Sequence, residues 1–286
     1  MSSALFNKIK LSSLELQNRI VVAPMCQYSA FEGTMGDWHL VNLGQFATAG
    51  PGLVIIEATG VEAAGRITHG CVGLYSDENE AGMKRVVEFC RSVGHSKIAV
   101  QLGHAGRKAS AERPWEGGNS LKVDSWETYA PSSIAFAEGW HEPKQLDQSG
   151  LNRIKNAFID AARRAVRLGV DAIELHGAHG YLLHQFLSPI SNRREDSFGG
   201  SLDARMRFPL EIFAAVNSVV PDGFPILLRV SASDWVEDGW DLEQTIVFCK
   251  ALEEAGCAGI HVSSGGNSLA QKLVVGHGYQ LDLAKK

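Results

Sequence analysis

The 286-residue sequence predicts an α/β fold built on one parallel sheet. Short apolar runs alternate with longer segments that carry helix signals, which is the order expected of βαβ units. The runs are almost continuously apolar, as in strands that are covered on both faces. Hydrophobic residues make up 45% of the chain, enough for a sizeable core. Six strands are predicted, at residues 19–25, 52–58, 97–104, 171–177, 225–231 and 258–264.

The segments between these runs carry the start and stop signals of helices. Residues 77–94 begin with acidic side chains and end in glycine, as the helix dipole and the C-cap favour. In residues 146–169 apolar side chains recur at helical spacing, and this segment also ends in glycine. Residues 241–256 repeat the design. The sequence therefore predicts helices that connect neighbouring parallel strands.

Two arrangements of such a sheet compete, an open doubly wound sheet and a closed barrel. The usual nucleotide fingerprints of open sheets, GxGxxG and GxxxxGK[ST], are missing from the sequence. Open sheets concentrate their chemistry at one switch point, whereas (β/α)8 barrels gather it from many strand ends. The second pattern is present, so the sequence favours a TIM (β/α)8-type barrel. The residues near the carboxyl ends of the predicted strands are Pro24, Cys26, Glu57, Gln101, His176, Arg229 and Ser263.

Two further elements complete the predicted architecture. A β-hairpin is expected at the N-terminus, before the first barrel strand. Residues 105–145 form a long loop after the third strand, rich in Gly, Ser, Pro and aromatic residues. Such a loop is usually a lid or part of a binding site, and a solvent-exposed insertion is the alternative. Because only six strands are found, residues 1–286 are expected to form a single, incomplete barrel domain, truncated after the sixth strand.

Composition excludes several classes of protein. The net charge of −5 argues against a general nucleic-acid binder, whose surface is usually basic. The five cysteines are odd in number and form no CxxC pair, so a disulfide framework or zinc knuckle is not expected. The N-terminus lacks the apolar core of a signal peptide, and no apolar run approaches the ~20 residues of a membrane helix. The expected location is the cytoplasm.

The stretch AIELHGAHGYLLHQFLSP (172–189) places three polar residues just after a predicted strand, namely His176, His179 and Tyr181. Two histidines can donate hydrogen bonds to one oxygen and stabilise charge that develops on it. A tyrosine is a weak acid suited to proton donation. The alternative is a satisfied core histidine with a packing tyrosine. The spacing is too irregular for a helical HExxH zinc site, although a metal-dependent hydrolase remains a weaker hypothesis.

Gln101 and Arg229 indicate a second kind of chemistry at the strand ends. An amide and a cation suit a planar heterocycle with carbonyl and imide edges, such as a flavin. A buried arginine needs an acceptor, so an ion pair with Glu57 or Glu174 is an equal alternative for Arg229. Cys26 follows the first strand, and a small apolar filler is the common role of a free cysteine.

Several motifs resemble those of the Old Yellow Enzyme family of FMN-dependent ene-reductases. They include NRIVVAPMCQYSAFEGTMGDWH, QLGHAGRKAS, RPWEG, ELHGAHGYLLHQFLSPISNRREDSFGGSLDARMRF and RVSASDW. The likeness is greatest to the bacterial class with a cysteine at the flavin ring, the xenobiotic reductase type. It extends from residue 4 to about residue 283. The resemblance implies a TIM barrel that carries FMN, with NADPH or NADH as the reductant in a ping-pong cycle.

The resemblance also implies roles for individual residues. His176 and His179 would hold the carbonyl or nitro oxygen of an activated alkene or nitro compound. A hydride would pass from flavin N5 to the β-carbon, and Tyr181 would protonate the α-carbon. Gln101 and Arg229 would contact the flavin pyrimidine ring, and Tyr28 would lie near the substrate oxygen. The full set of flavin contacts implied in this way is Ala23, Pro24, Met25, Cys26, Ala58, Gln101, His176 and Arg229.

The expected absence of strands seven and eight leads to an alternative function. In this family the loops after strands seven and eight hold the FMN phosphate, and relatives share residues between subunits. The alternative function is therefore a truncated remnant without stable FMN binding or activity, unless a partner chain completes it. A homo-oligomer is compatible with this sequence, and a nucleic-acid or membrane partner is not expected.

Overall fold

The chain begins with a small hairpin and continues into a parallel sheet. The computed structural model describes residues 3–273 and 275–286. Strand β1 (Ile9–Leu11) pairs antiparallel with β2 (Leu14–Leu16), so the predicted N-terminal hairpin is confirmed. The strands that follow are β3 (Val21–Val22), β4 (Leu53–Gly60), β5 (Lys97–Gly103), β6 (Tyr129–Ala130), β7 (Lys144–Gln145), β8 (Ala172–Gly177), β9 (Ile226–Ser231) and β10 (Gly259–Ser263).

Six of these strands form one sheet whose spatial order follows the chain. The order is β3-β4-β5-β8-β9-β10, and every neighbouring pair is parallel. Because no strand reverses this progression, the sheet has no switch point of the doubly wound kind. The six strands coincide with the six predicted apolar runs, and the barrel-type topology is confirmed. Strands β6 and β7 form a separate short pair inside the long loop after β5.

Helices cover the outer face of the sheet. Their bounds are α1 (Asp37–Ala49), α2 (Asp77–Val93), α3 (Gln148–Arg167), α4 (Leu182–Leu187), α5 (Leu202–Asn217), α6 (Leu242–Glu254) and α7 (Leu281–Ala284). The three predicted helices correspond to α2, α3 and α6. Helices α2 and α3 begin at side-chain N-caps, where Ser76 accepts from the Asn79 N–H and Asp147 from the Gly150 N–H. The capped start and the apolar stripe together fix which face of each helix meets the sheet.

Alternation along the strands gives the sheet two different faces. Val54 and Ile56 of β4 point outward and pack with the helices, together with Ile173 of β8. Leu53 and Ile55 point to the opposite face, where they form a smaller cluster. The remaining members of that cluster are Leu16, Ala99, Ala172 and Leu227. Since Leu16 belongs to the hairpin, β1 and β2 close the amino-terminal end of the inner face.

The sheet curls into part of a barrel. One cavity of about 280 Å³ is lined by Val21 and Ala23 at one edge of the sheet and by Gly259 and His261 at the other. Both edge strands can face one cavity only if the sheet bends toward itself. Within the described residues β3 and β10 are not hydrogen-bonded to each other, so the six strands form an open half-barrel.

The long loop after β5 lies over the carboxyl edge of this half-barrel. The Arg107 guanidinium donates to the backbone and side-chain oxygens of Asn267, and the Trp126 indole N–H donates to Ala64 O. Lys108 Nζ donates to the backbone carbonyl oxygens of His179, after β8, and Gly266, after β10. This part of the loop therefore forms a wall beside the strand ends rather than an insertion that projects into solvent.

Candidate functional site

One tight turn after β8 brings the three polar residues of the 172–189 stretch together. His179 has a φ of 58° and Gly180 a φ of 71°, so the chain passes through left-handed conformations at two successive residues. The ring centroid of His176 lies 5.2 Å from that of His179 and 4.8 Å from that of Tyr181. A left-handed histidine is uncommon and costs energy, and such strain is concentrated at functional sites.

Glycine is required at position 180 because another loop approaches it closely. A Cβ there would lie 2.4 Å from the carbonyl oxygen of Gly266 and 2.5 Å from the Cα of Asn267. Both the left-handed φ and this close approach exclude a side chain. The turn is thus held against the loop that follows β10, which contributes to the same edge of the sheet.

Hydrogen bonds from neighbouring strands fix the turn. The His179 N–H donates to Ser231 Oγ at 2.9 Å, and His179 Nε2 lies 2.7 Å from Ser263 Oγ. The Gly180 N–H donates to His184 Nδ1 at 2.8 Å. The proton of a neutral His184 is therefore on Nε2, which lies 3.0 Å from Asp234 Oδ1. This Asp–His pair is fully buried and was missed by the sequence analysis, because its members are fifty residues apart.

The tautomer of His176 leaves one N–H available. The Ala178 N–H donates to His176 Nδ1 at 3.3 Å, so the proton of the neutral ring is on Nε2. Among the described residues, no acceptor for that Nε2 proton is found within hydrogen-bond distance. His176 thus presents a free donor at the carboxyl edge of the sheet.

Burial keeps the three side chains uncharged at neutral pH. Desolvation lowers the pKa of His176 well below its usual value, and the neighbouring His179 lowers it further. Desolvation, with Arg229 and Lys108 nearby, lowers the pKa of His179 to about 3. The pKa of the Tyr181 phenol lies well above 10, because burial disfavours the phenolate. The turn therefore offers two neutral imidazoles and one protonated phenol.

Gln101 and Arg229 lie on either side of β8, and a buried carboxylate joins this group. The Gln101 amide donates from Nε2 to Glu174 Oε1 at 2.7 Å. The second oxygen of Glu174 lies 2.9 Å from His261 Nδ1. Since the Gln101 amide nitrogen is engaged, its carbonyl oxygen remains to accept a hydrogen bond. His261 lies within an apolar run, where the sequence pattern gives no signal for a site residue.

The structure does not form the ion pair that was the alternative for Arg229. No carboxylate of the described residues lies within 4.0 Å of its guanidinium, and Glu174 is paired with other side chains. The buried Nε of Arg229 has no hydrogen-bond partner in that part of the chain. Desolvation lowers the pKa of Arg229, and Glu174 opposes this shift from a distance. Arg229 is thus a cation with unused donors at the strand edge.

The segment after β3 and the end of β4 form the opposite wall. Pro24 is buried, and Ala23 lines the inner cavity beside Glu174. Met25 is half exposed. Ala58 lines a small cavity together with His176 and Tyr181, so this wall and the turn face each other. The six residues of this wall for which the sequence analysis expects roles are Ala23, Pro24, Met25, Cys26, Tyr28 and Ala58.

Cys26 and Tyr28 are both uncharged in this wall. Desolvation raises the pKa of the Cys26 thiol well above its usual value, and Cys71 and Glu57 act in the same direction. Burial and the neighbouring Cys26 likewise raise the pKa of Tyr28. Tyr28 has a φ of 51°, and its ring packs edge-on against Trp115, with centroids 5.8 Å apart. A residue of the long loop therefore contacts a residue of the expected site.

Lys108 was not singled out by the sequence analysis, although its motif, QLGHAGRKAS, was. Its Nζ donates to the carbonyl oxygens of His179 at 2.9 Å and Gly266 at 2.8 Å. The same ammonium lies 5.0 Å from the ring centroid of Tyr181 and 4.7 Å from that of Phe136. The signal that could have identified Lys108 as a site residue is its place as a basic residue soon after a predicted strand.

Over residues 3–273 and 275–286, no group of three or more His, Cys, Asp or Glu side chains is placed to hold a metal ion. The metal-dependent hydrolase hypothesis therefore has no ligand set in this part of the chain. In the same ranges, no helix combines the length and apolar character needed to cross a membrane.

Comparison with known proteins identifies the family. The sequence profile of the NADH:flavin oxidoreductase / NADH oxidase family matches residues 4–267. The chain belongs to this family. It is 43% identical over 303 residues to NADH:flavin oxidoreductase FG08077 of Gibberella zeae, covering all of this chain and 73% of that protein. It is 40% identical over 288 residues to the NADPH dehydrogenase of Bacillus subtilis, covering all of this chain and 80% of that protein.

Solved structures agree with this assignment. Morphinone reductase superposes with a TM-score of 0.80 at 29% identity, covering 99% of this chain and 77% of that one. Old Yellow Enzyme from Pichia sp. AKU4542 gives 0.78 at 27% identity, covering 91% and 70%. The resemblance to the Old Yellow Enzyme family is thus confirmed. The chain is a flavin-dependent oxidoreductase of this family, with FMN as cofactor and a nicotinamide nucleotide as reductant.

Proposed function

We propose that this oxidoreductase is an ene-reductase of the xenobiotic reductase type, which reduces activated alkenes and nitro compounds. The observation that carries the proposal is the turn after β8. It gathers two uncharged imidazoles and one protonated phenol at the carboxyl edge of the sheet. Such a group can bind an oxygen on which negative charge develops and can also deliver a proton.

The residues around this turn fit the ring system of FMN. The Gln101 carbonyl oxygen is free to accept from a ring N–H, because the amide nitrogen donates to Glu174. Arg229 Nε has no partner among the residues that the structure describes, and it suits a ring carbonyl or a negative charge on the pyrimidine edge. The short side chains of Ala23 and Ala58 leave room for a flat ring against the opposite wall. When bound there, FMN supplies hydride transfer between the nicotinamide nucleotide and the alkene β-carbon.

The chain's own residues then have two tasks. His176 donates its Nε2 proton in a hydrogen bond to the carbonyl or nitro oxygen, and His179 donates to the same oxygen from its second ring nitrogen. A neutral imidazole still carries one N–H, so both rings can donate to this oxygen without being protonated. Tyr181 gives its phenolic proton to the α-carbon, and Tyr28 lies across the site near the substrate oxygen.

The half-reactions separate these tasks experimentally. In Tyr181→Phe, we expect the reduction of an enone by the reduced enzyme to slow by about a hundredfold or more, since general-acid contributions are typically of this size. Flavin reduction by NADPH should be unchanged, and Tyr129→Phe in the long loop is the matched control. Equal loss in both half-reactions, followed by stopped-flow absorbance, would contradict the proton-donor role.

Phenol binding tests the oxygen clamp independently of turnover. A phenol places one oxygen where the alkene carbonyl would lie. The double variant His176→Ala plus His179→Ala removes both imidazole donors, and we expect phenol affinity to fall by about tenfold or more. Titration of the flavin absorbance with phenol measures this affinity. Unchanged affinity would show that another group binds the oxygen.

A further inference from the structure

Lys108 places a positive charge beside the proposed proton donor. Its Nζ lies 5.0 Å from the ring centroid of Tyr181, within the range of a cation–π contact. Two backbone carbonyls, those of His179 and Gly266, accept from the same ammonium. On another side the ring of Phe136 lies 4.7 Å away. The ammonium therefore contacts the turn of the site, the loop after β10 and its own loop at once.

This ammonium has no anionic partner in the part of the chain that the structure describes. No carboxylate there lies within 4.0 Å of Lys108 Nζ. The ionisable groups around it are its neighbour Arg107 and the site residues His176, His179 and Tyr181. Two of these are neutral imidazoles and one is a permanent cation, so of these groups only Tyr181 can become an anion, as a phenolate.

We propose that Lys108 is a positioning residue for the proposed alkene reduction, and that its ammonium stabilises the phenolate left on Tyr181 after proton donation. The proposal rests on the function proposed above. In that step the O–H bond of Tyr181 breaks and a C–H bond forms at the α-carbon of the substrate carbanion. The carbanion results from hydride addition at the β-carbon. The electron pair of the O–H bond stays on the phenol oxygen, which later takes a proton from water.

The positive charge of Lys108 opposes the effect of burial on the acidity of the Tyr181 phenol. Burial raises the pKa of Tyr181 well above 10, with Arg229 acting in the opposite direction, so a phenol at this position without further charge compensation would be a poor acid. Burial together with Arg107 lowers the pKa of Lys108 to about 8, so the ammonium remains largely charged at neutral pH. The negative charge of a phenolate is spread over the ring, whose centroid lies 5.0 Å from Nζ. At this separation and an effective dielectric of about 20, one unit charge changes an acid dissociation constant on the order of a hundredfold.

Fluorine NMR of a labelled phenol measures this coupling without relying on turnover. Tyr181 is replaced in the full chain by a difluorinated tyrosine, whose free phenol titrates near neutral pH. The phenol pKa is then compared between the native Lys108 background, Lys108→Met and Lys108→Arg. We expect Lys108→Met to raise the pKa by about two units. Lys108→Arg should restore most of the native value because it retains the charge.

Two outcomes would overturn the proposal. The first is an equal phenol pKa in the native and Lys108→Met proteins. The second is an equal shift in Lys108→Met and Lys108→Arg, which would indicate that packing or the carbonyl contacts, rather than charge, cause the change. If Lys108→Met does not fold, Lys108→Gln provides the uncharged comparison with the same expectation.

The same variants keep this proposal separate from the proposed function. With the natural tyrosine restored, Lys108→Met should slow enone reduction by about tenfold or more and leave flavin reduction by NADPH unchanged. Suppose that the phenol pKa shifts as expected but Tyr181→Phe reduces the enone at the native rate. Then Tyr181 is not the proton donor, and the catalytic role assigned to Lys108 fails with it. If Tyr181→Phe is slow but the pKa does not shift, only the role of Lys108 fails.

Discussion

Acid should destabilise the folded chain through the buried histidine of the turn. His176 is buried at 3% exposure, and desolvation lowers its pKa well below the value of about 6.5 expected in the unfolded chain. Below pH 6.5 the unfolded chain therefore binds a proton at this residue that the folded chain does not bind. By linkage, the free energy of unfolding falls as the pH falls through this range.

The size of the effect follows from the interval between pH 6.5 and the chosen pH. At pH 5 the interval is about 1.5 units, and each unit corresponds to about 1.4 kcal/mol, so a His176 that stays neutral in the folded chain at this pH costs about 2 kcal/mol. His179 adds a contribution of the same sign, and we expect it to be smaller because the ring is partly exposed. This contribution stops growing near pH 3, the pKa of His179 in the folded chain, because below it the folded chain binds the proton as well.

Urea unfolding followed by circular dichroism tests this at pH 7.5, 6 and 5. His176→Asn removes the titrating group, so the stability of the native chain relative to this variant should fall by about 2 kcal/mol over the range. His95→Asn is the matched control, because the ring of His95 is exposed and water surrounds it in both states. A difference between native and His176→Asn that is constant with pH would refute the reasoning, since the folded protein would then protonate His176 normally.

Three other changes have expected outcomes. Burial raises the pKa of Glu57 to about 8, so the native chain loses stability as the pH rises from 4.5 to 8. At about 1.4 kcal/mol per pH unit this loss reaches about 4 kcal/mol at pH 8, and Glu57→Gln should avoid it in urea unfolding; equal stabilities at pH 8 would contradict this. Asp234→Asn removes the anionic partner of buried His184 and should lower the unfolding free energy by about 3 kcal/mol, a cost that Asp238→Asn should not share. Asp147→Ala removes the N-cap of α3 and should cost about 1 kcal/mol by thermal unfolding; no change would mean that water replaces this cap.

The elements that could be predicted from the sequence are those with a strong local signal. Strands β4, β5, β8 and β9 are long apolar runs, and α3 combines a side-chain cap with a regular apolar stripe. Helices α1 and α5 were not assigned. Gly44 lies inside α1 and Pro209 inside α5, and both residues weaken a helical signal. In the folded chain, packing against the sheet overrides these local preferences.

The residues of the candidate site likewise fall into those that a local sequence signal marks and those that it does not. His176, Gln101 and Arg229 could be selected because they lie on or at the ends of strands whose apolar pattern is clear. Lys108 and Asp234 lie in loops, where the sequence has no periodicity from which the direction of a side chain could be predicted. Their roles depend on which loops meet over the carboxyl edge, and that is set by the curl of the sheet rather than by local sequence.

The register of the strands explains why Arg229 has no ion-pair partner among the described residues. In the parallel ladder Arg229 is opposite His176 on one side and His261 on the other. Glu174 lies two residues before His176, in register with Gln101, which binds one of its oxygens while His261 binds the second. Both oxygens of Glu174 are thus used, and within the part of the chain that the structure describes the Nε of Arg229 keeps no partner. A partly buried cation in this state is costly unless a ligand supplies the acceptor, which is the property expected of a residue that binds the polar edge of a flavin.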